Sequence, residues 1–296
     1  MRVDNPRFHE KGSMHRITKG WSLDEKYLLT MGKEQFLLRT STRKTLVQQE
    51  KEYQWISSIP AEEGVGKPLQ YGLYDQEKTY ILYQYLKGED FLSVLPSLTQ
   101  ELQYDLGLQA GDLLSKIHQV EGKRKEEDAL AYGRKIARKI KKFHEYGLSD
   151  PSLIQAMDYV HKHKHLIKDR PKVLHHGDFH VGNMIVHEQK LFVVDFNRYD
   201  FGDPYEEFDR ITLNSDYSSD FTRGLLHGYF KGVPPLSFWH LLKIYRYVNA
   251  IGSIPWALEY SLESLPFVED MVKKTLEDYE DLESPLPKWY QEHLSL

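Results

Sequence analysis

The spacing of apolar residues changes twice along this chain of 296 residues, and that change restricts the fold more than any single residue does. Over the first 86 residues the pattern is one of strands and turns. Lys26-Tyr27-Leu28-Leu29 and Gln35-Phe36-Leu37-Leu38-Arg39 flank a turn at Gly32-Lys33, and Tyr80-Ile81-Leu82-Tyr83-Gln84-Tyr85-Leu86 reads as a further strand. One helix interrupts them at residues 45–59, where Leu46, Tyr53 and Ile56 share a face, and the stretch 60–66 ends it. Beyond Gly88 the spacing becomes helical. Ser97-Leu98-Thr99-Gln100 reads as a capping box, followed by Leu102, Leu106, Ala110, Leu113, Leu114 and Ile117 at core-facing intervals. Residues 129–147 and 151–168 read as two more helices. The strand period then returns briefly. Val173-Leu174-His175-His176 is one short apolar segment, and Met184-Ile185-Val186 pairs with Leu191-Phe192-Val193-Val194 across Glu188-Gln189-Lys190. Residues 205–283 revert to helix. The expectation is an α+β chain of two lobes: a small antiparallel-sheet lobe at 1–86, a hinge strand near 83–88, and a larger, mainly helical lobe at 87–296 carrying one inserted hairpin.

Composition removes several classes of protein. The chain has no cysteine, which excludes disulfide scaffolds and thiolate metal sites and fits a reducing compartment. No apolar run approaches the roughly 18 residues of a spanning helix, and Met1-Arg2-Val3-Asp4-Asn5-Pro6 is not a hydrophobic leader. A cytoplasmic protein without a membrane segment is therefore expected. Charge is unevenly spread: residues 1–87 hold 14 Lys/Arg and 11 Asp/Glu, whereas residues 201–296 hold 8 and 16. A basic start and an acidic end suggest an anion handled at one end and a cation at the other. No basic stripe with interleaved aromatics is present, so nucleic acid is not an expected partner.

The inserted hairpin carries the chemistry. His176-Gly177-Asp178-Phe179-His180-Val181-Gly182-Asn183 has the form H-x-D-x-x-x-x-N, and Val193-Val194-Asp195-Phe196-Asn197 follows it. A kinase active site uses this spacing: one Asp meets the acceptor hydroxyl, while an Asn and a second Asp supply hard oxygens to Mg²⁺ on the phosphates. A tight loop sets Asp178 and Asn183 close together, and the next strand brings Asp195 in from the side. Gly177 and Gly182 permit the backbone turns this requires.

HGDFHVGN with VVDFN, backed by Phe201-Gly202-Asp203-Pro204 and Tyr205-Glu206-Glu207-Phe208-Asp209-Arg210, resembles the aminoglycoside phosphotransferase family. The resemblance runs in order over nearly the whole chain and is sharpest at residues 175–210. It implies a bilobal protein-kinase-like fold, ATP and Mg²⁺ as cofactors, and transfer of the γ-phosphate to a hydroxyl of a small acceptor. Asp178 would orient and deprotonate that hydroxyl, Asn183 and Asp195 would ligate Mg²⁺, and His176 would brace the loop. Asp203 would hold loops together, and His180 would buttress the loop or reach substrate. In the small lobe Gly20-Trp21-Ser22 resembles the loop that covers the phosphates, with Gly20 and Ser22 at the nucleotide. Arg39 stands where the family has a lysine on the α/β-phosphates, with Lys26 as the second candidate. Glu52 is its expected ion-pair partner, Glu50 the competitor. Gln84 and Leu86 align with the hinge that reads the purine edge. Asn197 replaces the glycine of D-F-G, and Asn tolerates left-handed backbone better than most residues.

For the acceptor, Glu206, Glu207, Asp209, Glu259 and Glu263 lie in the acidic third, and carboxylates facing a cleft would bind the ammonium groups of an aminoglycoside-type antibiotic. A kinase of an endogenous amino-alcohol, sugar or macrolide-like metabolite is the alternative, as is a non-catalytic nucleotide-binding module, suggested by Arg39 and Asn197. A metal-dependent oxygenase using His176, Asp178 and a distant His227 or His240 leaves Asn183 and Asp195 without a role.

Overall fold

The computed structural model describes residues 1–18, 24–61, 63–123 and 127–294. Alternation of apolar and polar residues builds a five-stranded antiparallel sheet from β1 (Ser13–Ile17), β2 (Glu25–Met31), β3 (Glu34–Ser41), β4 (Pro68–Leu73) and β5 (Thr79–Gln84), in the order β1-β2-β3-β5-β4. Because successive side chains point to opposite faces, the sheet buries two separate clusters. Leu29, Leu38, Tyr80 and Leu82 share one face with Phe8 of the short helix α1 (Phe8–Lys11), whose ring meets Tyr80 edge-on at 5.3 Å. Tyr71, Ile81 and Tyr83 occupy the other, beneath Leu46 and Tyr53 of α2 (Leu46–Ser57). Thr45 caps α2 in a capping box with Gln48. β4 carries Pro68 and Gly72, both poor strand formers, which hid it from a reading of the sequence. It lies at the sheet edge, and its register shifts between Pro68 and Gln70, where such residues are tolerated.

After β5 the chain makes β6 (Glu89–Asp90), α3 (Phe91–Val94), α4 (Gln100–Ile117), α5 (Glu127–Glu145) and α6 (Pro151–His163). Thr99 alone caps α4, accepting from the Leu102 N–H at 3.3 Å, while the Ser97 hydroxyl turns away to the Val94 carbonyl. The expected α4 core positions Leu106, Ala110, Leu113, Leu114 and Ile117 are buried. α6 stops at His163 and tightens into a 3₁₀ turn at Lys164–Ile167. Short strands follow: β7 (Val173–His175), β8 (Met184–His187), β9 (Lys190–Val193) and β10 (Asp200–Gly202). β8 and β9 form the expected hairpin, and β6 joins them to make three strands, while β10 pairs with β7. The hairpin turn is two residues, Glu188 and Gln189, both at positive φ (48° and 60°), as a turn matching strand twist demands. Helices α7 (Ile211–Tyr217), α8 (Ser219–Phe230), α9 (Leu236–Tyr260), α10 (Leu265–Asp278) and α11 (Lys288–Leu294) complete the chain.

The main core runs from Ile56 and Phe91 through α4 and α8 to Phe179, Val181 and Phe196, so the motif loops are anchored in it from behind. A second core packs α5, α6, α9 and α10. α4 and α8 meet backbone to backbone. A Cβ added to Gly111 would lie 2.0 Å from the Leu225 carbonyl oxygen, and one on Gly224 would lie 2.1 Å from that of Tyr104. Gly111→Ala is therefore expected to lower stability by about 1–3 kcal/mol through overpacking. Gly133→Ala on α5, where an added Cβ meets nothing within 4 Å, should leave it unchanged or slightly raised. Thermal unfolding of the two variants side by side checks this; equal melting temperatures would sink the close-contact argument.

Candidate active site

β7 ends at His175, and the loop 176–183 returns the chain to β8. The His176 ring ties this loop to the strand beside it: Nε2 donates to the Val194 carbonyl at 2.9 Å, which leaves Nδ1 to accept from the Asp178 N–H at 3.2 Å. Gly177 sits at φ +81°, and a Cβ there would lie 1.9 Å from the Arg198 carbonyl oxygen, so only glycine fits. Gly182, by contrast, has negative φ and serves a 3₁₀ turn at Val181–Asn183 capped by His180, whose Nδ1 accepts from the Gly182 N–H.

The β8–β9 pairing brings the end of the motif loop beside the segment that carries Asp195. The Val194 N–H donates to the Asn183 carbonyl at 3.0 Å, so Asn183 lies opposite Val194, the residue before Asp195. The Asn183 side-chain amide donates to the Asp178 carbonyl at 2.9 Å, which leaves its oxygen as the end available to a cation. Asp195 itself adopts left-handed backbone at φ 69°, a strained conformation of the kind found at functional positions. Asn197, expected to need that freedom, does not: it lies in a 3₁₀ turn and donates its amide to the Asp195 carboxylate. Its own Oδ1 is buried without a hydrogen-bond partner among the described residues.

Asp178 is surrounded by basic groups. Arg210 Nη1 lies 2.8 Å from its carboxylate, Arg198 Nη1 3.8 Å and His180 Nε2 3.6 Å. Partial burial opposes ionisation, but His180 and the two guanidiniums hold the Asp178 carboxyl down at about 2.

On the sheet side, Lys26 reaches across from β2 to place Nζ 2.9 Å from Asp195 Oδ2. Its ladder partner Arg39 on β3 is buried and bound to Glu52 of α2, which is also held by Lys44 at 2.6 Å and by the Tyr83 hydroxyl at 2.7 Å. Glu50 instead accepts from the Tyr71 hydroxyl. Gln84 closes β5 with an exposed side chain, and Leu86 follows it, half-buried. Gly20 and Ser22 lie outside the described residues.

The carboxylates expected at the acceptor do not gather on an open face. Glu207 is buried and turned to the loop, where it accepts the His176 and Gly177 N–H groups at 2.7 and 2.9 Å. Glu206 pairs with Lys135 of α5 at 2.5 Å, and Glu259 pairs with Lys142. Burial raises the Asp209 pKa, with Arg246 and Arg210 opposing it. Glu263 occupies the exposed turn Leu262–Ser264. Asp203 accepts from Arg170, the Tyr245 hydroxyl and the Tyr205 N–H and so joins three segments. His227 bonds Tyr104 and His240 bonds Tyr159, each away from the loop. His118, His175 and Glu207 cluster at metal-ligand distances. The two His175 nitrogens, however, face Asp200 at 3.2 Å and the Asp203 carbonyl at 2.9 Å. The ring is thus a doubly donating cation with no lone pair for a metal.

Comparison with known proteins decides the lineage. A sequence profile described as the phosphotransferase enzyme family matches residues 13–239. The chain belongs to this phosphotransferase family. Among solved structures, a thermostable mutant of aminoglycoside phosphotransferase APH(4)-Ia is 14% identical, with a TM-score of 0.63 over 91% of this chain and 96% of that one. The gentamicin complex of APH(2")-IIa is 15% identical, with a TM-score of 0.63 over 90% and 93%. A putative aminoglycoside phosphotransferase from Ralstonia eutropha JMP134 is 13% identical, with a TM-score of 0.62 over 90% and 92%. No curated protein matches the sequence. The phosphotransferase fold expected from the motifs, an antiparallel sheet followed by a helical lobe, is the fold observed. Within this family member, Arg198 and Arg210 are the site residues that reading the sequence passed over. Their signal was present: both lie inside the motif segments, at Asp195-Phe196-Asn197-Arg198 and Phe208-Asp209-Arg210.

Proposed function

We propose that the protein transfers the γ-phosphate of ATP, bound with Mg²⁺, to a hydroxyl of a small acceptor. The observation that supports this best is the loop carrying Asp178 and Asn183 bonded to the Val194–Asp195 segment, with a lysine from the sheet 2.9 Å from the Asp195 carboxylate. Asn183 and Asp195 offer the hard oxygens Mg²⁺ prefers. Mg²⁺ in such a site neutralises the phosphate tail of the nucleotide. With its carboxyl at about 2, Asp178 is too weak a base to ionise an alcohol beforehand. It orients the hydroxyl and takes its proton as the bond to the γ-phosphorus forms and the bond from that phosphorus to the departing ADP oxygen breaks, which suits a loose transition state. His176 and Glu207 fix the loop that carries it. Glu52 holds Arg39 and α2 against the sheet, and Gln84 and Leu86 border the edge where the base would lie.

For the acceptor, an amine-bearing aminoglycoside is supported by the acidic last third and by the company the fold keeps. A second reading is favoured by Arg198 and Arg210. Two guanidiniums beside Asp178 attract a carboxylate or phosphate on the acceptor and repel ammonium groups, while Glu206, Glu207 and Glu259 are already engaged. A coupled ATP-consumption assay with Mg²⁺, run over aminoglycosides, amino-alcohols, hydroxy acids and sugar phosphates, tests both. Acceptor-dependent turnover is the expected result, and its charge class chooses between the two readings. ATP binding with no turnover on any acceptor would favour a binding module.

A further inference from the structure

Lys26 and Arg39 face each other across the β2–β3 ladder, so their side chains leave the same face of the sheet. Two like charges there are separated by their partners. Arg39 is committed: its side chain is 4% exposed, bonded to a fully buried Glu52 and 3.5 Å from Asp24. Burial alone would weaken its charge, but Tyr83 and Glu52 push its pKa above the ordinary arginine value. Glu52 is saturated in turn by Lys44 and Tyr83. Withdrawing Arg39 from this cluster to meet a ligand would leave a buried carboxylate short of its partner, which is costly. Lys26 carries no such commitment. Among the described residues its one ion pair is to Asp195, its side chain is 16% exposed, and its ammonium stands beside the carboxylate offered to the metal.

We infer that Lys26, on the second strand of the sheet, is the cation that binds the nucleotide phosphates, and that Arg39 is a positioning residue holding α2 through Glu52. The inference rests on the nucleotide-dependent reading above. Lys26 neutralises Asp195 in the free protein and exchanges that carboxylate for a phosphate oxygen when nucleotide enters. A flexible four-carbon stem suits this exchange, whereas a planar guanidinium locked in two directions does not.

The test is equilibrium titration of the full chain with ATP and with adenosine, in Mg²⁺ and again in EDTA, for the natural protein, Lys26→Met and Arg39→Met. A charge-assisted hydrogen bond predicts that Lys26→Met weakens ATP about ten- to hundredfold. Because Lys26 meets the nucleotide only at its phosphates, adenosine affinity should hold, while loss of the Asp195 pair lowers the melting temperature by no more than a few degrees. The loss should persist in EDTA, which separates a phosphate contact from an effect on Asp195 and the metal. Arg39→Met should lower the melting temperature and leave ATP affinity of the folded protein within about threefold. Unchanged ATP affinity in Lys26→Met overturns the inference, as does an equal loss for adenosine. A tenfold ATP loss in an Arg39→Met protein of unchanged melting temperature overturns it too. Should Arg39→Met fail to fold, the Lys26→Met titrations decide alone. Failure of the natural protein to bind ATP at all would strike instead at the proposed function.

Discussion

Asp178→Ala is expected to cut turnover by about 10²–10⁴-fold, the range for losing one positioned proton acceptor, while leaving ATP affinity nearly unchanged and the protein folded. Asp178 contributes little to the core, and Arg198 and Arg210, its charged partners, are exposed enough to be solvated without it. The effect should fall on the rate at saturating nucleotide. Since the carboxyl titrates at about 2, this group stays charged across neutral pH and imposes no acid limb on the rate in the ordinary working range. Steady-state rates with an accepted hydroxyl compound, with ATP titrated calorimetrically in parallel, provide the check. Full turnover in the variant would remove Asp178 from the chemistry, and loss of ATP binding would make its role structural.

Glu207→Ala should cost about 3–5 kcal/mol, the range for removing one partner from a buried charged network. It strands the His176 and Gly177 N–H groups and removes one of the carboxylates that favour the His175 cation, with Asp200 staying beside it. In a domain of this size that corresponds to a fall of about 10 °C in melting temperature. The pH dependence follows from the two coupled groups. Burial opposes the Glu207 charge, but His118 at 3.6 Å and the positive His175 hold its carboxyl down at about 2. A carboxyl depressed in the fold contributes stability above its unfolded value of about 4.3, and that contribution is lost as pH falls toward about 2. Burial works against the His175 charge as well, but Asp200 and Glu207 raise it to about 9. A histidine raised in the fold contributes fully below about 6.5 and loses that contribution as pH climbs through about 9. The natural protein should therefore be most stable between about pH 5 and 6.5. Glu207→Gln should flatten the acid limb and reduce the alkaline limb only in part, because Asp200 stays beside His175. Melting temperatures of the natural protein and of both variants across acid, neutral and alkaline buffers test this, and parallel curves would refute the coupling.

The order of elements, the bilobal kinase-like fold and the motif Asp178, Asn183 and Asp195 were legible in the linear sequence. Each depends on spacing along the chain: the strand period of about 2, the helical period near 3.6, and a loop too short to separate Asp178 from Asn183. The two-residue turn at Glu188 and Gln189 and the edge strand Pro68–Leu73 were less legible, because sheet context there overrides what the residues prefer locally. Apart from the Arg39–Glu52 pair, which charge meets which was not legible. Nothing along the chain says that Glu207 points inward to two backbone N–H groups while its neighbour Glu206 meets Lys135, or that Arg198 and Arg210 converge on Asp178. Lys26 meets Asp195 across 169 residues of sequence. Periodicity is a local property and survives in one dimension. Pairing of charges depends on distance and burial, and those exist only once the chain has closed on itself.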